Sequence, residues 1–132
     1  ELSKYGNEIS DAKKPLAVIL HAHGGNCSGL DFDYLFKPLL ENGFAIIAPD
    51  FPGFGESEGT NRISSRTEDQ EKEAIPILHY IIQGYLKKYG SRKVVLLGYD
   101  WGAGLALSYA IKYPKIVFRI VAFHPSWTLP LS

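Results

Sequence analysis

The sequence has little of what a disulfide framework, a metal site or a membrane span requires. Its single cysteine, Cys27, cannot form an internal disulfide, and no cysteine–histidine cluster has the spacing of a zinc site. The longest apolar stretches, residues 44–48 and 116–123, are far shorter than the roughly 20 residues of a membrane span. No signal or transit pattern is visible at the N-terminus. We therefore expect a soluble intracellular protein, in the cytoplasm or an organelle lumen, without a bound metal.

The chain also has no net charge and no methionine. The 14 Lys and Arg residues balance the 14 Asp and Glu residues, so the net charge gives no reason to expect binding to nucleic acid or to an anionic membrane surface. Because no methionine occurs even at position 1, we expect a processed, trimmed or partial form of a longer protein. With 132 residues, 45% of them hydrophobic, the chain predicts one incomplete globular domain spanning residues 1–132.

Four short runs rich in Val, Ile and Phe alternate with longer segments of helical period. The runs occupy residues 16–21, 44–48, 93–97 and 117–123. This alternation is typical of βαβ units, and the near-continuous apolar character indicates strands that are buried on both faces. We predict an α/β fold, a three-layer sandwich with a parallel sheet. In that sheet the second run lies at one edge, followed by the first, third and fourth, with right-handed crossovers.

Helices are predicted between the first and second runs and between the third and fourth. Apolar residues recur at helical spacing over residues 31–42, where Pro38 divides the helix or begins a second turn. Residues 102–113 are small or apolar on nearly every side and stop before Pro114. This pattern predicts a core helix packed closely on the sheet.

A further helix is predicted between the second and third runs. Its apolar face begins at Ile75 and ends near Gly90, and a possible capping box lies upstream at residues 65–68. We expect Pro76 to kink this helix, because proline lacks the backbone N–H that a helix interior needs. His79 lies on the same helix and is expected to be structural.

The segment after the third run carries the strongest functional signal. It reads Gly98-Tyr99-Asp100-Trp101-Gly102 and stands between a predicted strand and a predicted helix, which is the context of a nucleophile elbow. Glycines two positions on either side of Asp100 permit a tight turn and a close approach of helix to strand. This predicts an exposed Asp100 above the carboxyl end of its strand. The alternative is that Asp100 simply caps the following helix.

Two more glycine-containing segments follow predicted strands. The first run leads into His23-Gly24-Gly25-Asn26, and the second leads into a loop that begins Asp50-Phe51-Pro52-Gly53-Phe54-Gly55. In the latter the third glycine of a dinucleotide fingerprint is misplaced and no helix is expected to begin there, so we expect no nucleotide and no other cofactor. For Asp50 a conformational role in a turn beside the site is favoured over a catalytic one.

The order and spacing of these three motifs resemble the α/β-hydrolase fold, specifically its branch of epoxide hydrolases and haloalkane dehalogenases. The resemblance covers residues 16–125, and the Asp100-Trp101 pair is its most specific part. It implies that Asp100 is the nucleophile and that the backbone N–H groups of Trp101 and Gly25 form an oxyanion hole. It also implies a small apolar epoxide or halogenated substrate. In the halide case, the indole N–H of Trp101 would hold the leaving halide.

The type of the central residue agrees with that chemistry. Carboxylate attack on an ester carbonyl gives a labile anhydride, whereas attack on a strained epoxide carbon or on a carbon bearing halide gives an alkyl-enzyme ester. Water must then cleave that ester, and the oxyanion formed needs donors already pointing at it. The residues expected to line the site around Asp100 are His23, Asn26, Tyr99 and His124.

The sequence departs from the family's pattern at two points. Asn26 stands where the branch usually has proline after His-Gly-x. The family's water-activating histidine, its acid and the cap tyrosines would follow the fourth strand, so we expect a partial core without the cap and the C-terminal strands. His124, at the carboxyl end of that strand, is the candidate replacement base in this chain, and His23 is expected to buttress the donor loop.

Two functions remain open at this point. In the first, the chain is part of an epoxide-opening hydrolase, and by itself it would be alkylated once on Asp100 without turnover because it lacks the base. In the second, a catalytically inactive hydrolase fold serves as a structural or interaction subunit, and a protein partner covers the open sheet edge. Epoxide and halide substrates use the same nucleophile, so the sequence does not separate them.

Overall fold

A single mixed sheet organises the protein. The computed structural model describes residues 8–9, 17–22, 33–50 and 73–124. The strands are β1 (Glu8–Ile9), β2 (Val18–Ala22), β3 (Ala45–Ile47), β4 (Val94–Tyr99) and β5 (Val117–Phe123). They lie side by side in the order β1-β3-β2-β4-β5. The four predicted strands therefore form in the predicted order and run parallel.

Strand β1 was not predicted. It pairs antiparallel with β3, placing Glu8 opposite Ile47 and Ile9 opposite Ile46. Two residues are too few to show a period of two in the sequence, so pairing with β3 rather than local pattern defines this strand.

Three helices connect the parallel strands. They are α1 (Phe36–Glu41), which follows a 3-10 turn at Asp33–Leu35, α2 (Ile75–Tyr89) and α3 (Trp101–Lys112). Gly90 ends α2 in the left-handed conformation with φ of 64°, as its position in the sequence suggested. Helix α3 stops just before Tyr113 and Pro114, also as predicted. In the part of the chain that the structure describes, no helix is both long enough and apolar enough to cross a membrane.

Pro76, which was expected to kink helix α2, lies at its start rather than in its interior. Pro76 stands in the first turn of α2, immediately after Ile75. Backbone N–H groups of a first turn have no acceptor within the helix, so proline there removes no hydrogen bond and its fixed φ suits the helix start. Pro38 similarly lies in the first turn of α1, which begins after the 3-10 turn. The proposed capping box at residues 65–68 lies outside the described residues.

The helices cover the sheet on both faces, which confirms the three-layer arrangement. Val18, Leu20 and Leu96 point toward α2 and α3 and form the larger core with apolar residues of those helices. On the other face, Ile46 and Ala48 pack with Phe36 of α1. Alternate residues of β3 thus face different layers, as expected for a strand buried on both sides.

Helices α2 and α3 meet at a cluster formed by His79, Tyr109 and Tyr113. The Tyr109 hydroxyl and Nδ1 of His79 lie 2.9 Å apart and share a hydrogen bond, whose donor depends on the tautomer of the imidazole. The imidazole also stacks on Tyr113, with ring centroids 4.0 Å apart. The predicted structural role of His79 is confirmed by these contacts. Burial, with a smaller contribution from Tyr113, raises the pKa of the Tyr109 phenol above its ordinary value.

We expect the Tyr109 phenol to make folding sensitive to alkaline pH. Because its pKa is higher in the folded than in the unfolded protein, its stabilising contribution is present below about pH 10 and is lost as the pH rises further. Tyr109→Phe should therefore flatten the alkaline decline of the free energy of unfolding by up to about 1.4 kcal/mol per pH unit. Urea unfolding at several pH values measures this, with Tyr34→Phe, at a phenol that is 67% exposed, as control. An equal decline in the wild type and Tyr109→Phe would contradict the assignment.

Candidate functional site

Asp100 occupies a strained turn between β4 and α3. Its backbone has φ of 54° and ψ of −116°, a combination that residues with a Cβ rarely adopt. Hydrogen bonds hold the turn: the Asp100 N–H donates to the carbonyl of Phe123 over 3.0 Å, and the Asp100 carbonyl accepts from Ala103 and Gly104 over 3.2 and 3.3 Å. The surrounding strand and helix therefore hold Asp100 in a backbone conformation that is unfavourable for an isolated aspartate.

Gly98 is required by how closely α3 approaches β4. A Cβ added at this position would lie 2.6 Å from Cα of Ala103 and 2.8 Å from both its N and the carbonyl oxygen of Gly102. Those three atoms belong to the backbone and cannot rotate away. Any side chain at Gly98 would therefore push the start of α3, and Asp100 with it, away from the sheet.

The side chain of Asp100 does not cap α3. It makes no hydrogen bond to the first turn of the helix, although Asp100 occupies the N-cap position. The alternative that Asp100 is merely a helix cap is therefore wrong. Asp100 is half-buried rather than exposed as predicted, and it stands at the N-terminus of a 12-residue helix, the end at which the helix dipole attracts anions. A charged, partly accessible carboxylate is a group that can act as a nucleophile.

The residues on either side of Asp100 have different environments. Trp101, the first residue of α3, is buried, and its backbone N–H belongs to the first turn of the helix. Such N–H groups have no acceptor within their own helix and suit an anion. Tyr99 is half-buried and pairs with Phe123 on β5.

His124 lies next to the Asp100 turn. It directly follows Phe123, whose carbonyl accepts the hydrogen bond from Asp100, and its side chain is exposed. Among the described residues, His124 and Asp100 are the two with positive φ other than glycine, at 42° and 54°. The sequence predicted the position of His124 at this edge but not its positive φ. No glycine or turn motif marks that position in the sequence.

The same edge of the sheet holds Asp50, just after β3. Its side chain is only 1% exposed, which keeps it from direct contact with a solvent-borne ligand and favours a conformational role. His23, Gly25, Asn26 and the glycine loop that follows Asp50 lie outside the described residues. Among those that are described, no three His, Cys, Asp or Glu side chains group as metal ligands would.

The four parallel strands, with helices on both faces of the sheet, form an α/β sandwich in which Asp100 occupies a strained strand-to-helix turn. Residues 17–131 match the family model of the alpha/beta hydrolase fold. The chain belongs to that family, which confirms the resemblance stated from the sequence.

Individual relatives include epoxide hydrolases and other hydrolases. The chain is 30% identical over 122 residues to epoxide hydrolase 3 of Xenopus tropicalis, covering 88% of this chain and 30% of that protein. It is 25% identical to 2-hydroxy-6-oxononadienedioate/2-hydroxy-6-oxononatrienedioate hydrolase 1 of Pseudomonas putida, covering 92% and 40%. The crystal structure of epoxide hydrolase A from Mycobacterium thermoresistibile aligns with a TM-score of 0.67 and 26% identity, covering 87% and 33%. The chain thus spans less than half the length of these relatives.

Proposed function

We propose that this protein is the nucleophile-bearing part of an epoxide-opening hydrolase that forms an ester on Asp100. The observation that carries the proposal is the conformation of Asp100: an aspartate, rather than a serine, held at φ of 54° on the turn between β4 and α3, with its side chain uncommitted to capping. Similarity to epoxide hydrolases supports the substrate class.

The first step follows from the chemistry of a carboxylate. An oxygen of Asp100 attacks one carbon of the epoxide, its lone pair forms the new C–O bond, and the strained C–O bond of the ring breaks with its electrons on the oxygen. The product is a hydroxyalkyl ester once that oxygen has gained a proton. The resemblance assigns this proton to cap-domain tyrosines. Fixing the carboxylate in a rigid turn lowers the entropic cost of the attack.

The second step is hydrolysis of that ester. Water attacks the Asp100 carbonyl carbon, and the oxyanion that develops on the carboxyl oxygen is stabilised by the backbone N–H of Trp101 and, by resemblance, that of Gly25. Collapse of this intermediate releases the diol and restores the carboxylate. The proton taken from water needs a base, for which His124 is the candidate in this chain.

A second candidate function is an interaction subunit without chemistry. Among the described strands β5 pairs with β4 alone, and Val121 and Phe123 are 45% and 39% exposed on it. Beside Val121 lies an apolar hollow of about 290 Å³, whose other lining residues include Ile19, Leu39, Val95 and Leu97. Exposed apolar patches of this kind mark interaction surfaces. A monodisperse monomer by sedimentation, unchanged by Val121→Asp, would count against this candidate.

A comparison of substrate classes tests the first proposal. The protein is incubated separately with a terminal aromatic epoxide and with an activated carboxylic ester, and loss of each substrate is followed by chromatography. We expect consumption of the epoxide, at least one equivalent per protein, and no hydrolysis of the ester above its rate in buffer. Ester turnover with the epoxide untouched would overturn the proposal, because the alkyl ester proposed on Asp100 forms from an epoxide and not from a carboxylic ester.

A further inference from the structure

The balanced net charge of the chain conceals a strong segregation of its charges. Residues 1–73 carry 13 acidic and seven basic side chains, whereas residues 74–132 carry seven basic side chains and a single acidic one, Asp100. A total of zero therefore says nothing about the local field around the second half of the chain.

The fold gathers the basic side chains of that half at one end. Parallel strands β4 and β5 begin there, and helices α2 and α3 end there. Seven exposed cations occupy this region, which we call the basic end: Lys87, Lys88, Arg92, Lys93, Lys112, Lys115 and Arg119. Asp100 lies at the opposite edge, beyond the carboxyl end of β4.

Helix dipoles explain only part of this arrangement. Lys87 and Lys112 stand in the last turns of α2 and α3, where cations offset the negative helix end. Arg92, Lys93 and Lys115 precede strands, and Arg119 lies in β5 opposite Val95. None of these four residues stands within the last turn of a helix, so helix capping alone does not account for their grouping.

Apolar side chains stand among these cations. Phe118 is 59% exposed and lines a hollow of about 410 Å³ together with Ser91, Arg92, Lys93 and Val95. The guanidinium carbon of Arg119 lies 5.0 Å from the centre of the Phe118 ring. Ile111, in the last turn of α3, is 66% exposed. Cations around exposed apolar groups are the combination that binds the interface of an anionic membrane.

We propose that the basic end docks this protein onto the surface of an anionic phospholipid membrane. The cations contact lipid phosphates and carboxylates, and Phe118 enters the boundary between head groups and acyl chains. A nucleic-acid surface is the less suitable partner, because stacking of successive bases needs open aromatic faces and Arg119 covers one face of Phe118. In this orientation the Asp100 edge faces the aqueous phase.

Vesicle co-sedimentation tests the proposal. The protein is mixed with vesicles of phosphatidylcholine alone or of phosphatidylcholine with phosphatidylserine, and the bound fraction is measured at low and at high salt. We expect binding only to the phosphatidylserine vesicles, weakened by salt because exposed charges are screened. Arg92→Glu with Lys93→Glu should lower the partition coefficient at least about tenfold, since each cation near such a surface contributes roughly a fivefold factor. Phe118→Ser should lower it several-fold.

Lys37→Glu is the matched control, because Lys37 is an exposed cation whose side chain is 85% accessible on α1. It should leave vesicle binding within twofold of the wild type, and far-ultraviolet circular dichroism checks the fold of each variant. Three results would overturn the proposal: no preference of the wild type for phosphatidylserine, undiminished binding of the double variant, or displacement from the vesicles by a short DNA duplex, which would assign the basic end to nucleic acid.

Discussion

Replacing Asp100 with asparagine should lower the rate of epoxide consumption by more than about a thousandfold, in the range found when a catalytic nucleophile is removed. The amide keeps the size and shape of the carboxylate but lacks its negative charge, so it attacks an epoxide carbon far more slowly. Timed incubation of the wild type and Asp100→Asn with one epoxide measures the ratio directly.

The stability of two further variants tests the backbone strain at Asp100 independently of its activity. Asp100→Gly should be more stable than Asp100→Ala by about 1 kcal/mol, because glycine adopts positive φ without the steric cost that a Cβ imposes. Both variants lack the carboxylate, so the comparison isolates the backbone strain at φ of 54°. Equal stability of the two variants in urea would mean that the turn is not strained. For the preceding prediction, full activity of Asp100→Asn would show that Asp100 is not the nucleophile.

Gly98→Ala should destabilise the protein by about 3 kcal/mol, at the upper end of the usual cost of overpacking. The new methyl group would meet the backbone of Ala103 at 2.6 Å, so α3 must shift as a unit. Since α3 begins next to Asp100, we also expect slower reaction with epoxide in the fraction that still folds.

Gly90→Ala is the control for this substitution. It also adds a methyl group, at φ of 64°, but no heavy atom lies within 4 Å of the added Cβ. We expect a loss of about 1 kcal/mol, from backbone strain alone, and an unchanged rate with epoxide. If Gly98→Ala were no more harmful than Gly90→Ala in chemical unfolding, the close approach of α3 to β4 would not be needed for the fold.

The sequence predicted the parts of the fold in which local pattern and tertiary environment agree. The β4–α3 unit is one such part, because its strand is continuously apolar and its glycines at positions 98 and 102 permit the close turn that the structure contains. Strand β1 could not be predicted, since it is two residues long and depends on β3. The position of Pro76 at the start of its helix was not predicted, because the boundaries of a helix are less certain from sequence than its existence.

The candidate site was predictable where a motif marks it and not elsewhere. Asp100 stands in a recognisable pattern, whereas the positive φ of His124 arises from its place at the end of β5. The basic end was also missed, because cations from α2, α3, β5 and the segment before β4 come together only in three dimensions. Net charge is a sum over the chain and contains no information about that grouping.

The most direct test of the central claim is to find where an epoxide becomes attached. The protein is incubated with a terminal epoxide, digested and examined by peptide mass spectrometry before and after mild hydroxide treatment. The account predicts an adduct on Asp100 that hydroxide removes, as expected of an ester, and no such adduct in Asp100→Asn. A hydroxide-resistant adduct confined to Cys27, the single thiol of the chain, with Asp100 unmodified, would contradict it.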